Sequence, residues 1–362
     1  MSGAKTRRWG VLAIAVAALT VFALLVFQWW SAPGNTAAAP STASGAGPRY
    51  RIQYAQLKFT SGALVHYAEE QGFLDRRGIE FQSVVFPAGP DVLTNLQSRS
   101  NASIAGTVAV TPVANRVLAG DEPVIIAQIF ESDSQAQLVT FADTGISRDA
   151  TSLKGKRVGL TRNTIADVYL AKLLASGGLS RSDIIVVAGK PGDNKRLLLS
   201  GELDALVIWD PFIVQIGREY EAGLEDGRLS DRGPVVVIDD PSLYTSHVVI
   251  ATTRDHIRRQ RGHLVQLLQG LKDASEAFRS NPEEAQRITE VWLGVEPGDL
   301  NAVFRDSSYR LSLPVDRLQS ALRQEIDIIV SEGLAEGAAP ADLSPFVDGS
   351  LLNEVDPNLV DD

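Results

Sequence analysis

A regular exchange of strand-like and helix-like stretches from Arg51 onward limits the possible folds more than any other feature of this chain. "RIQYAQ" (51–56), "IEFQSVVF" (79–86), "ASIAG" (102–106) and "VIIAQIF" (124–130) read as strands. Between them, 62–72, 90–99 and 108–119 carry helical spacing. Such alternation predicts an open, mostly parallel sheet flanked by helices. A second series follows, with strands over 157–161, 183–188, 205–209, 235–239 and 247–252 and helices over 164–176, 193–200 and 211–220. After Arg254 the chain is mainly helical. Leu264, Leu267, Leu268, Leu271, Ala274 and Phe278 form one apolar stripe, and Leu318, Leu322, Ile326 and Ile329 form another. Residues 335–362 are acidic and weakly patterned and are expected to pack loosely or fray.

The two series share a pattern. "DVLTNLQSRSNASIAGTVAV" (91–110) overlays "DNKRLLLSGELDALVIWDPF" (193–212) without a gap, each reading helix, polar turn, apolar strand, new helix. Two similar α/β lobes are therefore expected, with a cleft between them. In open α/β sheets ligands bind beyond the carboxyl ends of strands, where helix N-termini present free N–H groups.

Before the lobes, a basic flank (1–8, with Lys5, Arg7 and Arg8) precedes an uncharged run from Trp9 to Trp30. As a helix that run is about 30 Å long, enough to span a hydrocarbon core. It reads as a membrane anchor or as the apolar part of a signal peptide, and either places the rest outside the cytoplasm. Residues 31–48, small, polar and Pro/Gly-rich, read as a flexible linker.

The chain of 362 residues has 44 acidic and 34 basic side chains, a net charge of -10, which argues against nucleic acid as a partner. It has no cysteine, which excludes disulfides, thiolate metal sites and cysteine nucleophiles. His66, His247, His256 and His263 fall in no metal-ligand spacing, and no catalytic constellation or cofactor motif is present. An enzyme is not expected, and no cofactor or metal is implied.

The strand ends supply the candidate binding residues. Gln56 and Lys58 follow the first strand, Gly106 and Thr107 the third, Arg162, Asn163 and Thr164 the strand "RVGLT", and Trp209 and Asp210 the strand "ALVIW". His247 begins a later strand and faces either the cleft or a surface partner. Together they describe a small polar site with two cations, Lys58 and Arg162, suited to an oxyanion. Each also has a plain structural role. Thr164 is a good helix N-cap, Asp210 before Pro211 fits a helix start, Trp209 fits a core position, and Lys58 and Arg162 fit solvated charges. If Arg162 holds the anion, Arg162→Ala is expected to weaken binding more than about tenfold.

Three stretches carry a family resemblance: "HYAEEQGFLDRRGIEFQSVVFPAGPDVLTNLQSRS", "SLKGKRVGLTRNTIADVYLAKLL" and "SGELDALVIWDPF". With them the chain, over about residues 50–330, resembles the solute-binding proteins of ABC importers for nitrate, sulfonates, taurine and bicarbonate, a group that includes thiamine-precursor binders. The resemblance implies a type II periplasmic-binding-protein fold. Lobe 1 would take 49–140 and return over 244–334, lobe 2 would take 141–243, and an acidic tail would occupy 335–362. It also implies capture of a small anionic or zwitterionic solute by closure of the lobes, and docking on an ABC permease with its ATPase. Gln56, Lys58, Gly106, Thr107, Asn163, Thr164, Trp209 and Asp210 would line the cleft. The long uncharged run departs from the family's usual signal sequence and suggests tethering to the inner membrane on its periplasmic or extracytoplasmic face. A membrane-tethered sensor of the same ligands is the alternative. Sulfinate- or pyrimidine-processing enzymes on the same fold are associated with cysteines that this chain lacks.

Overall fold

The computed structural model describes residues 50–98, 102–335 and 337–361. These lie in one compact unit. The run 9–30 and the linker 31–48 lie outside the described residues. Among those described, no helix is long and apolar enough to cross a membrane.

Two sheets are present. The first contains β1 (Tyr50–Leu57), β2 (Ile79–Phe86), β3 (Ala105–Ala109), β4 (Pro123–Ser132), β10 (Ser246–Thr253) and the short β11 (Ser307–Ser308). The second contains β5 (Gln137–Phe141), β6 (Arg157–Leu160), β7 (Ile185–Ala188), β8 (Ala205–Ile208) and β9 (Val235–Ile238). Their strand orders are β11-β4-β10-β3-β1-β2 and β7-β6-β8-β5-β9. Each sheet has a reversed strand at the same internal place, and in the first the short β11 at the edge is reversed as well. Strand β10 runs antiparallel between β3 and β4, and β5 runs antiparallel between β8 and β9. The chain passes between the sheets twice, from β4 to β5 and from β9 to β10.

Burial explains the strand composition. Central β10 is buried along almost its whole length and β8 throughout, whereas β2 and β7 at the sheet edges are half exposed. Near-continuous apolar runs are what a strand covered on both faces requires. Nine of the strands lie where the sequence pattern puts them, with boundaries moved by a few residues. Strand β5 and the two-residue β11 are the exceptions. "QLVTF" follows β4 with no helix between them, so the βα rhythm passes over it.

The helices are α1 (Ala63–Glu70), α2 (Gly89–Leu96), α3 (Val110–Leu118), α4 (Ile165–Ser176), α5 (Pro191–Leu199), α6 (Phe212–Glu225), α7 (Arg254–Arg259), α8 (Arg261–Ser280), α9 (Pro282–Leu293), α10 (Asn301–Arg305), α11 (Val315–Ser331) and α12 (Ser350–Val355). Both apolar stripes of the C-terminal helices are buried, on α8 and on α11. The expectation of a loose tail is corrected. Leu351 and Leu352 on α12 are fully buried, and Arg254 and Arg261 pair with Asp348 and Glu354. Burying two leucines stabilises by about 1.5–3 kcal/mol each, enough to hold an otherwise polar segment.

Candidate functional site

The carboxyl ends of β1 and β3 meet those of β6 and β8 along the join between the sheets. After β1 the chain turns through Phe59 into a 3-10 turn, Thr60–Gly62, and then α1. Gln56 is buried and its Nε2 donates to the Gly62 carbonyl at 3.0 Å, which fixes this turn. A Cβ on Gly62 would come within 2.4 Å of the Leu57 carbonyl oxygen, so the bend requires glycine. Lys58 points to solvent.

Gly106 and Thr107 are displaced from their expected turn. Strand β3 begins at Ala105 and runs on through Thr107 and Val108, so both residues sit inside it. A β-branched pair buried between two neighbouring strands extends the strand past the expected stop. A Cβ on Gly106 would meet Ala55 and Val92 within 2.9 Å, so packing accounts for this glycine. The Thr107 hydroxyl is bonded to the Tyr54 hydroxyl at 2.9 Å.

The turn after β6 is built around Asp167. Its Oδ1 accepts from Arg162 at 3.1 Å and its Oδ2 from the Asn163 backbone N–H at 2.6 Å. Asn163 takes a left-handed backbone, φ 59°, which asparagine tolerates well. Thr164 caps α4, accepting from Ala166 N–H at 3.3 Å, and donates to the Thr161 carbonyl at 2.6 Å. The guanidinium of Arg162 is half exposed, and Arg162 borders neither of the two cavities at the join of the sheets.

At the end of β8, Trp209 is buried and meets Phe59 edge to face, with ring centroids 5.5 Å apart. Phe212 lies 5.9 Å from the same ring. An aromatic contact thus bridges the two sheets. Asp210 is 8% exposed, and its peptide bond to Pro211 is cis. The Val214 N–H interacts with its carboxylate, while Oδ1 has no protein partner. Burial raises the Asp210 carboxyl to about 6, against a smaller opposing effect of that N–H.

Two cavities occupy the join. One is a seam of about 30 Å³, walled by Phe59, Ser61, Gly89, Thr164, Ile165 and Trp209, with room for roughly one water. The other is an annex of about 340 Å³, reached by Thr60, Ser132, Asp210, Asp239 and Ser307. Gln135, on the segment crossing from β4 to β5, borders both. The annex is of ligand size. The structure therefore brings Thr164 and Trp209 into the seam and Asp210 into the annex. Phe59, Ser61 and Gln135 were missed by the sequence reading, although Phe59 and Ser61 fall in the loop it marked.

His247 stands apart. It lines a third cavity of about 350 Å³ beside the second crossing segment, with Lys172, Tyr244, Arg317 and Glu325. Its Nδ1 lies 3.1 Å from Gln128 Oε1 and 3.4 Å from Glu131 Oε2. His247 thus lies beside the second crossing segment, apart from the seam and the annex.

Two sheets of like strand order, joined by two crossings and meeting at helix N-termini, make up an α/β periplasmic-binding-protein-like fold. The chain belongs to the NMT1/THI5-like family, whose model matches residues 60–285. Among curated proteins it is similar to a putative aliphatic sulfonates-binding protein of Escherichia coli (strain K12), 23% identical over 67% of this chain and 71% of that one. Among solved structures it is similar to the alkanesulfonate-binding protein SsuA from Xanthomonas axonopodis pv. citri bound to MOPS, with a TM-score of 0.67, 18% identity and coverage of 84% and 99% of the two chains. The periplasmic nitrate-binding protein NrtA from Synechocystis PCC 6803 shares the fold at a TM-score of 0.65 and 14% identity, over 87% of this chain and 90% of that one.

Proposed function

We propose that this chain is the extracytoplasmic substrate-binding protein of an ABC importer and captures a small organic oxyanion of the alkanesulfonate type. One observation carries the reading. The turn before α1, the first turn of α2 and the cap of α4 border one seam, together with the Phe59–Trp209 aromatic pair. Helix N-termini offer N–H donors and the positive end of the dipole to an oxyanion. The aromatic pair offers an apolar wall to a carbon body. A bare inorganic anion such as nitrate would leave that wall unused. Neither Lys58 nor Arg162 borders the seam or the annex, so backbone donors rather than a side-chain cation carry the anion.

The seam is too narrow for a sulfonate while Phe59 and Trp209 touch. Binding therefore begins in an opened form, and a ligand that contacts both sheets favours closure by its differential affinity. The crossing segments 133–136 and 239–245 are where that hinge would bend. The uncharged run 9–30 behind its basic flank supports tethering at the membrane surface. A tethered sensor of the same ligands is the second reading, supported by that same run.

Calorimetry and thermal unfolding of the full chain with ethanesulfonate, taurine and nitrate test the proposal. A sulfonate is expected to bind and raise the melting temperature while nitrate does neither. Release of sulfite from any sulfonate would refute the binder reading in favour of an enzyme. Capture of a purified ABC permease by the ligand-loaded protein separates transport from sensing.

A further inference from the structure

The third cavity runs against the charge of the molecule around it. The chain has a net charge of -10, yet this space of about 350 Å³ beside the second crossing segment is bordered by two fixed cations, Lys172 and Arg317. It shares no lining residue with the seam or the annex. Lys172 reaches it from α4, in the second sheet's half. Arg317 reaches it from α11, which packs on α3 of the first.

The acids of the cavity do not cancel these cations. Glu131 is engaged within its own cluster. Its Oε1 accepts from Arg317 at 3.2 Å, and its Oε2 accepts from Gln128 Nε2 at 2.9 Å and faces His247 Nδ1 at 3.4 Å. A guanidinium has five N–H donors, and Glu131 takes one of them. Glu325 is 5% exposed and accepts from the Tyr244 and Thr111 hydroxyls. Burial pushes its carboxyl up to about 7, so near neutral pH about half of its charge is absent. Lys172 is half-buried, with its ammonium 5.6 Å from the centroid of the Tyr244 ring. Among the described residues it has no carboxylate within ion-pair distance. Drawing an ammonium partly out of water without a paired anion costs free energy. Ser320 and Gln324, on the same face of α11 as Arg317, add a hydroxyl and an amide.

Size and charge together define the class of ligand. A pocket of this volume takes a small organic molecule, and an inorganic ion would leave most of it empty. Two cations on different helices call for two anionic groups, and the planar fork of an arginine matches a carboxylate. We propose that this cavity is a second ligand site, separate from the cleft, and that it binds a small dicarboxylate with one carboxylate at Lys172 and the other at Arg317. Such a ligand ties α4 to α11 and so joins the two halves of the molecule beside the crossing segment. The site does not depend on the importer reading.

The test is calorimetric titration of the full chain with malonate, succinate and glutarate, which set two carboxylates at increasing separation. Propionate is the comparator with one carboxylate, and sodium chloride holds the ionic strength constant. At least one diacid is expected to bind about tenfold or more tightly than propionate, the scale of one charge-assisted hydrogen bond. Lys172→Gln and Arg317→Gln are each expected to cut that preference to less than about threefold, while thermal unfolding shows both variants folded. Saturating ethanesulfonate is expected to leave the diacid bound. Diacids no tighter than propionate overturn the site, as does a preference that survives both substitutions. Competitive displacement of the diacid by ethanesulfonate overturns it too, by placing the diacid in the cleft. Failure of ethanesulfonate to bind counts against the importer reading alone, and the diacid preference and its loss in the two variants still decide this inference.

Discussion

Asp210 joins a favourable role to an unfavourable one. One part of its carboxylate serves the start of α6, while burial disfavours its charge and lifts its pKa to about 6. The folded state therefore holds the proton more tightly than the unfolded chain, whose carboxyl stays near 3.8. Its contribution is most favourable below about pH 4 and is lost as pH rises through about 6, a swing of about 3 kcal/mol. Asp210→Asn should accordingly stabilise the ligand-free protein at pH 7.5 by up to about 3 kcal/mol and give no gain at pH 4, as measured by denaturant unfolding at both pH values. Arg162 takes a different course. It is tied to Asp167 outside both cavities, so Arg162→Ala should change ligand affinity less than about threefold by calorimetry, a far smaller effect than the sequence suggests. At this scale the turns after β1, β6 and β8 fall where the sequence marked them, because strand ends are legible from apolar runs, whereas the turn expected at Gly106 and Thr107 lies inside β3. The sequence did not reveal which turn residue faces the cleft. That depends on partners distant in sequence, such as the Asp167 that turns Arg162 aside.

The α11 helix shows how an element absorbs a polar group into an apolar stripe. Glu325 lies between Leu322 and Ile326 on the buried face. It accepts from the Tyr244 hydroxyl at 2.8 Å and the Thr111 hydroxyl at 2.9 Å, joining α11 to α3 and to the second crossing segment. Burial pushes its carboxyl up to about 7, despite those bonds and the charges of Lys172 and His247. As with Asp210, its raised value means stability present at low pH and lost as pH climbs through about 7. Glu325→Gln should be the more stable form at pH 8.5 and lose that advantage at pH 5, by a few kcal/mol in chemical denaturation. The apolar stripe of α11 was plain in the sequence, and the buried acid within it was not. A glutamate at that position reads as an exposed neighbour until tertiary packing places Tyr244 and Thr111 against it. The tail was misjudged for a related reason. Its acidic composition hid Leu351 and Leu352, two buried leucines on a helix too short to show a period.

For the whole molecule, two ion pairs lie between helices of the second sheet's half and the C-terminal helices packed on the first. Arg218 on α6 holds Asp299, and Arg181 lies 3.7 Å from Glu332 just past α11. In the proposed lobe closure both would favour the closed form, and each is partly open to solvent, so each is worth little and is screened by salt. Arg218→Ala should shift the balance toward the open form and weaken ligand binding about two- to fivefold at low salt, with the difference vanishing near 0.5 M salt in paired calorimetric titrations. The division into two sheets was anticipated from the repeated helix–turn–strand pattern. The reversed direction of β5 and of β10 was not, because local pattern does not fix which neighbours a strand pairs with. Each takes its place only when a distant part of the chain arrives.

That late arrival imposes an order on assembly. Every strand of the second sheet comes from the continuous stretch between Gln137 and Ile238, whereas β10 fills the gap between β3 and β4 from residues beyond it. A chain made from its N-terminus onward can complete the second sheet while the first still waits for its central strand. Until Ser246–Thr253 emerges, β3 and β4 have bare backbone edges facing each other, which are open to pairing with any other strand. The half that is begun first is finished last.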